Sequence, residues 1–153
     1  MINITNELKK AFDGDAWHGG NALQILENVN DARAFAHFIP NAHSIAEITL
    51  HLTAWTEEVS ARLMSKTASE PINGDWQVPE ESTEKAWAKI IFDFKIANEE
   101  LIRICENFKE KDWNNLVNEE GQPILTVNFS ELVNGLIQHH AYHAGQIALV
   151  SKF

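Results

Sequence analysis

The chain has 153 residues, a formal net charge of −10 and 44% hydrophobic residues. This length predicts one domain over residues 1–153, able to bury roughly 70% of its unfolded surface without staples. The acidic balance disfavours a phosphate backbone as partner, so no nucleic acid is expected, and the single Cys105 excludes an intrachain disulfide. Lone cysteine usage suits a reducing cytoplasm. The opening Met-Ile-Asn-Ile-Thr-Asn lacks a basic segment followed by an apolar run. No apolar stretch reaches about 18 residues, so neither a signal peptide nor a membrane span is expected.

Helical periodicity dominates, and it appears four times. The first element covers residues 4–12, with Ile4, Leu8, Ala11 and Phe12 on one face. It resumes over residues 21–29 after a break at Trp17-His18-Gly19-Gly20, because consecutive glycines weaken a helix. Asp31 could cap one further short turn through Ala36, and Pro40 closes the region. The second helix has a stronger start signal. Ser44 followed by Glu47 is a capping box, and Ile45, Ile48, Leu52, Trp55, Val59 and Leu63 form its core stripe. Residues 67–81, with Pro71, Asn73-Gly74 and Pro79, read as a loop.

The third helix is expected over residues 82–108, carried by Trp87, Ile90, Ile91, Phe94, Leu101, Ile104, Cys105 and Phe108. Residues 109–127 form a long connection, in which Leu116-Val117 could pair with residues 124–127 as a small hairpin. The last helix starts with Asn128 as cap and Glu131 three residues on. It runs about 22 residues, or roughly 33 Å. Four amphipathic helices and two sizeable loops predict an all-α four-helix bundle, an architecture that often holds metal sites in its interior.

Histidines stand out against this pattern. His139 and His143 are four residues apart, so both imidazoles share a helix face with Cβ atoms roughly 5–6 Å apart. That spacing allows both rings to reach one metal ion. Leu132, Leu136, Ile147 and Val150 place the pair on an apolar stripe, and a buried polar group needs a partner. His51 lies three residues after Ile48 and four before Trp55, so it belongs to the second helix's core stripe. Three neutral imidazoles suit zinc, nickel or a related cation and leave a fourth position open, as in catalytic rather than structural sites. The competing reading is that each is a satisfied core histidine.

His-x-x-Tyr-His-x-Gly-Gln-Ile, from His139 to Ile147, resembles the C-terminal signature of the DinB-like, or YfiT-like, metalloprotein superfamily. His43-Ser44-Ile45-Ala46-Glu47-Ile48 through His51 and Trp55 resembles the second-helix signature of the same family. Trp17-His18-Gly19 and the Trp87 helix look like their counterparts, so the resemblance spans nearly the whole chain. It implies an up-down-down-up four-helix bundle with a divalent metal on three histidines. Carried over position by position, these are His51, His139 and His143. Family members include metal-dependent hydrolases and thiol-dependent transferases and isomerases using bacillithiol or mycothiol. A homodimer is a further expectation from the resemblance.

Other residues carry two readings each. Trp17 and His18 could wall a pocket near the metal or pack at the helix break. Tyr142 offers a phenol beside the site or packs between helices. Glu47 could support His51 as an outer partner or base, although its capping box explains it without chemistry. Gln146 could hydrogen-bond a ligand ring, since metal-binding histidines usually need an outer partner. Trp55 could line the pocket one turn from His51. His140, about 100° around the helix from His139, is expected to face solvent or a partner. His43 is expected at the surface or at the cap, Gly145 to allow close helix approach, and Cys105 to be an inert core thiol.

Two functions from different classes follow. One is a metal-dependent enzyme, a hydrolase or a thiol-dependent transferase acting on a small molecule. No H-E-x-x-H motif supplies an adjacent base, and a thiol cosubstrate would ease that lack because coordination alone deprotonates sulfur. The other is a non-catalytic binding or stress-response protein with a structural or vestigial metal site.

Overall fold

A computed structural model describes residues 2–119 and 127–153. Three long helices carry the fold: α4 (Ile45–Leu63), α5 (Glu84–Glu106) and α6 (Phe129–Val150). The expected first helix is present as three pieces, α1 (Ile4–Phe12), α2 (Ala22–Glu27) and α3 (Asp31–Ala34). A 3₁₀ turn, Glu110–Asn114, leads out of α5. Among the described residues there is no strand of a sheet, and the chain is all-α.

Each helix begins where its cap dictates. The Ser44 hydroxyl accepts from Glu47 N–H at 3.2 Å, and the Glu47 carboxylate accepts from Ser44 N–H at 2.7 Å, closing both halves of the capping box at α4. Asn128 and Glu131 repeat the device at α6. Thr83, not Ser82, caps α5. Asn30, not Asp31, caps α3 through its side-chain oxygen on Arg33 N–H at 3.0 Å. Asn and Asp are equivalent caps in principle, so composition alone does not choose between adjacent positions. Most of the expected hairpin lies outside the described residues. On its flanks, Leu116 bridges Asn128, and Val117 N–H donates to Val127 C=O at 2.9 Å.

Helix α4 packs on α5 and α6, and α1 and α2 pack on the same two helices. The core divides in two. One cluster gathers Phe12, Leu26, Ile45, Ile48, Leu52, Trp87, Phe94 and Ile147. The other gathers Leu8, Val59, Leu63, Leu101, Ile104, Phe129, Val133 and Leu136. Between them, on the three long helices, stand the buried polar residues Thr56, Asn98 and His140.

The loop from α4 to α5 is pinned at its start. Glu58 is 3% exposed, and its carboxylate accepts from Arg62 Nε at 3.0 Å, from Ser69 N–H at 3.1 Å and from Lys66 Nζ. Burial works to raise the Glu58 pKa, but these donors outweigh it and hold the carboxylate below its ordinary value of 4.5. A depressed carboxylate contributes stability that is present above the unfolded pKa and lost as pH falls. Glu58→Gln should therefore destabilise the fold by about 2 kcal/mol at pH 7. In urea titrations the gap between variant and parent should shrink as pH drops below about 4.5.

Candidate metal centre

His51 lies on α4, and His139 and His143 lie on α6. Helices α4 and α6 pack against each other and bring the three rings together. Ring centroids are 4.9 Å apart for His51–His139, 4.9 Å for His51–His143 and 4.5 Å for His139–His143. One ligand-capable nitrogen from each ring lies within 4.8 Å of the other two. His51 Nε2 and His139 Nε2 approach to 2.9 Å. Such a group could hold a metal ion.

The outer nitrogens decide which atoms are free. His51 Nδ1 is 2.9 Å from the Asp75 carbonyl oxygen and 3.1 Å from Asp75 Oδ1. Both are acceptors only, so Nδ1 carries the proton and donates, leaving the Nε2 lone pair turned to His139. His143 Nδ1 is 2.6 Å from Gln146 Oε1, which accepts its proton in the same way, while Gln146 Nε2 donates to the Tyr142 hydroxyl at 3.1 Å. Burial lowers the pKa of His139 to about 4, reinforced by the neighbouring His143 and His51. Burial also lowers His143. At neutral pH these two rings are uncharged and their lone pairs are available, which is the state a cation requires.

The wall of the site comes from the α4–α5 loop. Trp76 lies flat between His51 and His43, with centroid distances of 3.9 and 3.7 Å and interplanar angles of 5° and 1°. Pro71 C=O accepts from Gly74 N–H at 2.9 Å, and Gly74 has a φ of +87°. That left-handed turn favours glycine and delivers Asp75 and Trp76 to the triad. Trp55 donates its indole N–H to Asp75 Oδ1 at 2.6 Å. Two cavities adjoin the triad. One, about 500 Å³, is bounded by His43, Trp76, Tyr142, His143 and Gln146 with apolar Ile48 and Leu149. The other, about 410 Å³, reaches His139 past Trp55, Arg62 and Leu136.

Several sequence expectations change here. Trp17 is fully exposed and His18 is exposed, so neither walls the site nor packs at the helix break. The tryptophan beside the histidines is Trp76. Glu47 serves Ser44 and also accepts from His37 Nε2 at 2.9 Å, with His43 Nδ1 at 3.7 Å. Those contacts, rather than His51, occupy its carboxylate. Gly145 is exposed, and a Cβ there would meet nothing within 4 Å, so it serves no close helix approach. Tyr142 is exposed at the rim and does not pack between helices. Cys105 is buried, and burial pushes its thiol up to about 12.

The largest correction is His140. It is fully buried, not solvent-facing. The centre of the α6 stripe runs Val133, Leu136, His140, Ala144 and Ile147, while His139 lies at its half-buried edge. A 100° step from an edge residue leads into the core on one side and to solvent on the other. Thr56 donates its hydroxyl to Leu52 C=O at 2.7 Å, so its oxygen accepts from His140 Nε2–H at 3.0 Å. Burial lowers the His140 pKa to about 3, keeping the ring neutral.

Fold and site together define an all-α protein with a three-histidine group suited to a metal ion. The chain matches the DinB superfamily over residues 16–147 and belongs to it. No curated protein and no solved structure matches it. Removing the acceptor for His140 tests the buried polar layer. Thr56→Val should strand a buried N–H and cost about 1–3 kcal/mol, read as a lower urea midpoint with unchanged helical circular dichroism at 20 °C or below.

Proposed function

We propose that this DinB-superfamily protein is a metal-dependent enzyme acting on a small molecule, with His51, His139 and His143 as the metal ligands. The observation that carries the reading is the convergence of three imidazole nitrogens within 4.8 Å at the junction of α4 and α6. The donor set fits a divalent transition ion such as zinc or nickel, because neutral nitrogen ligands suit borderline cations. The outer hydrogen bonds to Asp75 and Gln146 support the fit, since they turn Nε2 of His51 and of His143 away from their acceptors. Three protein ligands leave a position for substrate or water, and a cation held there would supply Lewis acidity, lowering the pKa of a water or thiol.

The chain's own residues supply the rest. His43, Trp76 and the apolar side chains Ile48 and Leu149 line a cavity of about 500 Å³ beside His143, with room for a small substrate. Tyr142 and Gln146 offer a hydroxyl and an amide at the rim, able to orient a polar substrate group. The Asp75 carboxylate, which meets the triad at His51, is committed to His51 and Trp55. A nucleophile that ionises without a separate base, such as a low-molecular-weight thiol, suits this arrangement at least as well as water. No helix among the described residues is long and apolar enough to cross a membrane.

Elemental analysis of protein purified without a polyhistidine tag should find a single transition ion per chain, absent from His139→Ala. Metal-loaded protein assayed with water and with small thiols against electrophilic substrates should turn over with one nucleophile and lose that turnover in His143→Ala. Metal retention with equal background rates in both proteins would point instead to a non-catalytic binding protein.

A further inference from the structure

The α4–α5 loop does more than close the chain over the triad. It sends two consecutive residues onto one ligand ring. Asp75 meets His51 twice, through its carbonyl oxygen at 2.9 Å and its carboxylate at 3.1 Å. Trp76 lies against the face of the same ring at 3.9 Å, nearly parallel. The two contacts constrain different freedoms. The acceptors choose which nitrogen bears the proton, and the indole fixes the plane of the imidazole about χ2, a torsion that is otherwise broad.

The loop is itself anchored where this matters. Trp55 Nε1–H donates to the second role of Asp75, its Oδ1, at 2.6 Å. His43 covers the other face of Trp76 at 3.7 Å, and Gly74 supplies the left-handed turn that aims the pair inward. His51, Trp55 and His43 all belong to α4 or its approach, so the loop is referenced to the helix that carries the ligand. His143 has a helical partner of its own in Gln146. His51 depends on a residue 24 positions away.

We propose that Asp75 and Trp76 are positioning residues of the three-histidine centre, holding His51 as the Nδ1–H tautomer with Nε2 turned toward His139 and His143. The proposal rests on the metal-binding reading above for its purpose, but the tautomer it specifies exists without metal. Asp75 acts through His51 and touches no reacting atom. Its carboxylate keeps the carbonyl in register by holding Trp55, and it adds a negative charge that strengthens the His51 donor.

The test uses the full, untagged chain. Long-range proton–nitrogen NMR on metal-free protein should show His51 in one tautomer, protonated at Nδ1. Asp75→Ala keeps the backbone carbonyl but removes the carboxylate that meets His51 and anchors the loop to Trp55; it should give a mixture of tautomers and weaken nickel(II) binding about 10–100-fold, as loss of an outer contact typically does. Asp75→Asn, which keeps an acceptor oxygen for both His51 and Trp55, should restore the single tautomer and most of the affinity. Adding Trp76→Ala to Asp75→Ala should weaken binding further. Helical circular dichroism should be the same in all four proteins. An unchanged tautomer and unchanged affinity in Asp75→Ala would overturn the proposal while leaving the metal reading intact. A parent chain that takes up no nickel or zinc would overturn the metal reading, and the metal-free tautomer would still decide whether Asp75 sets it.

Discussion

The structure turns on imidazoles drawn together at the edge of the core, two of them buried and His139 half-buried. A buried imidazole has one donor and one acceptor nitrogen, and each needs a partner. His51 and His143 give their Nδ1 protons to acceptors outside the cluster, Asp75 and Gln146. Their other nitrogens then have only each other and His139 to face. Two ring nitrogens 2.9 Å apart are compatible as a donor and an acceptor of neutral tautomers, or as two lone pairs directed at one cation. The low pKa of His139 keeps that ring uncharged, so a lone pair on it is open to a hydrogen bond or to a cation. The same burial that makes the site expensive for protons makes it receptive to a metal.

His140 shows that burial alone does not make a ligand. It is more deeply buried than His139 and sits next to it in the chain. Its N–H ends on Thr56 of α4, between two apolar clusters, while Asn98 bonds only within α5, to Phe94 C=O at 2.9 Å. Thr56, Asn98 and His140 come one from each long helix. The buried Thr56–His140 bond joins α4 to α6 and would be lost if either helix slid by a turn, the familiar use of a lone polar residue in a helical core. The triad needs that alignment, because His51 and the α6 pair meet only when α4 and α6 keep their register. The neighbouring histidines thus act at two levels, His140 within the packing and His139 at its edge.

The sequence made the helices legible because their signals are local. Caps at Ser44 and Asn128 and the apolar stripes of α4 and α6 fall within a few residues of what they determine. The triad was legible for the same reason, since i,i+4 spacing on one helix and stripe membership on another need no loop geometry. The orientation of α6 was less so. The stripe drawn through Leu132 and His139 differs from the true centre through Val133 and His140 by one residue, and a broad apolar face tolerates either until packing decides. Sequence pattern offers Trp17 as a possible pocket wall and passes over Trp76, because both lie in irregular segments. Nothing local distinguishes a tryptophan that returns to the core from one that does not.

Asp75 is the most consequential residue that pattern reading passes over. It lies in a loop whose Pro and Gly content marks only that the helix has ended. Its contacts join positions 20 and 24 residues apart, a range over which periodicity carries no information. A signal was nevertheless present. An Asn-Gly turn followed at once by an acid and a tryptophan places an acceptor and a large flat ring at a position that solvent alone does not explain. In a helical protein whose ligand rings need outer acceptors, such a loop is where to look for them, because a helix offers its own backbone carbonyls only to itself. Gln146 escapes that constraint as a side chain one turn from His143. His51 has Glu47 one turn away, but that carboxylate is taken by Ser44 and His37, so its acceptor comes from the loop.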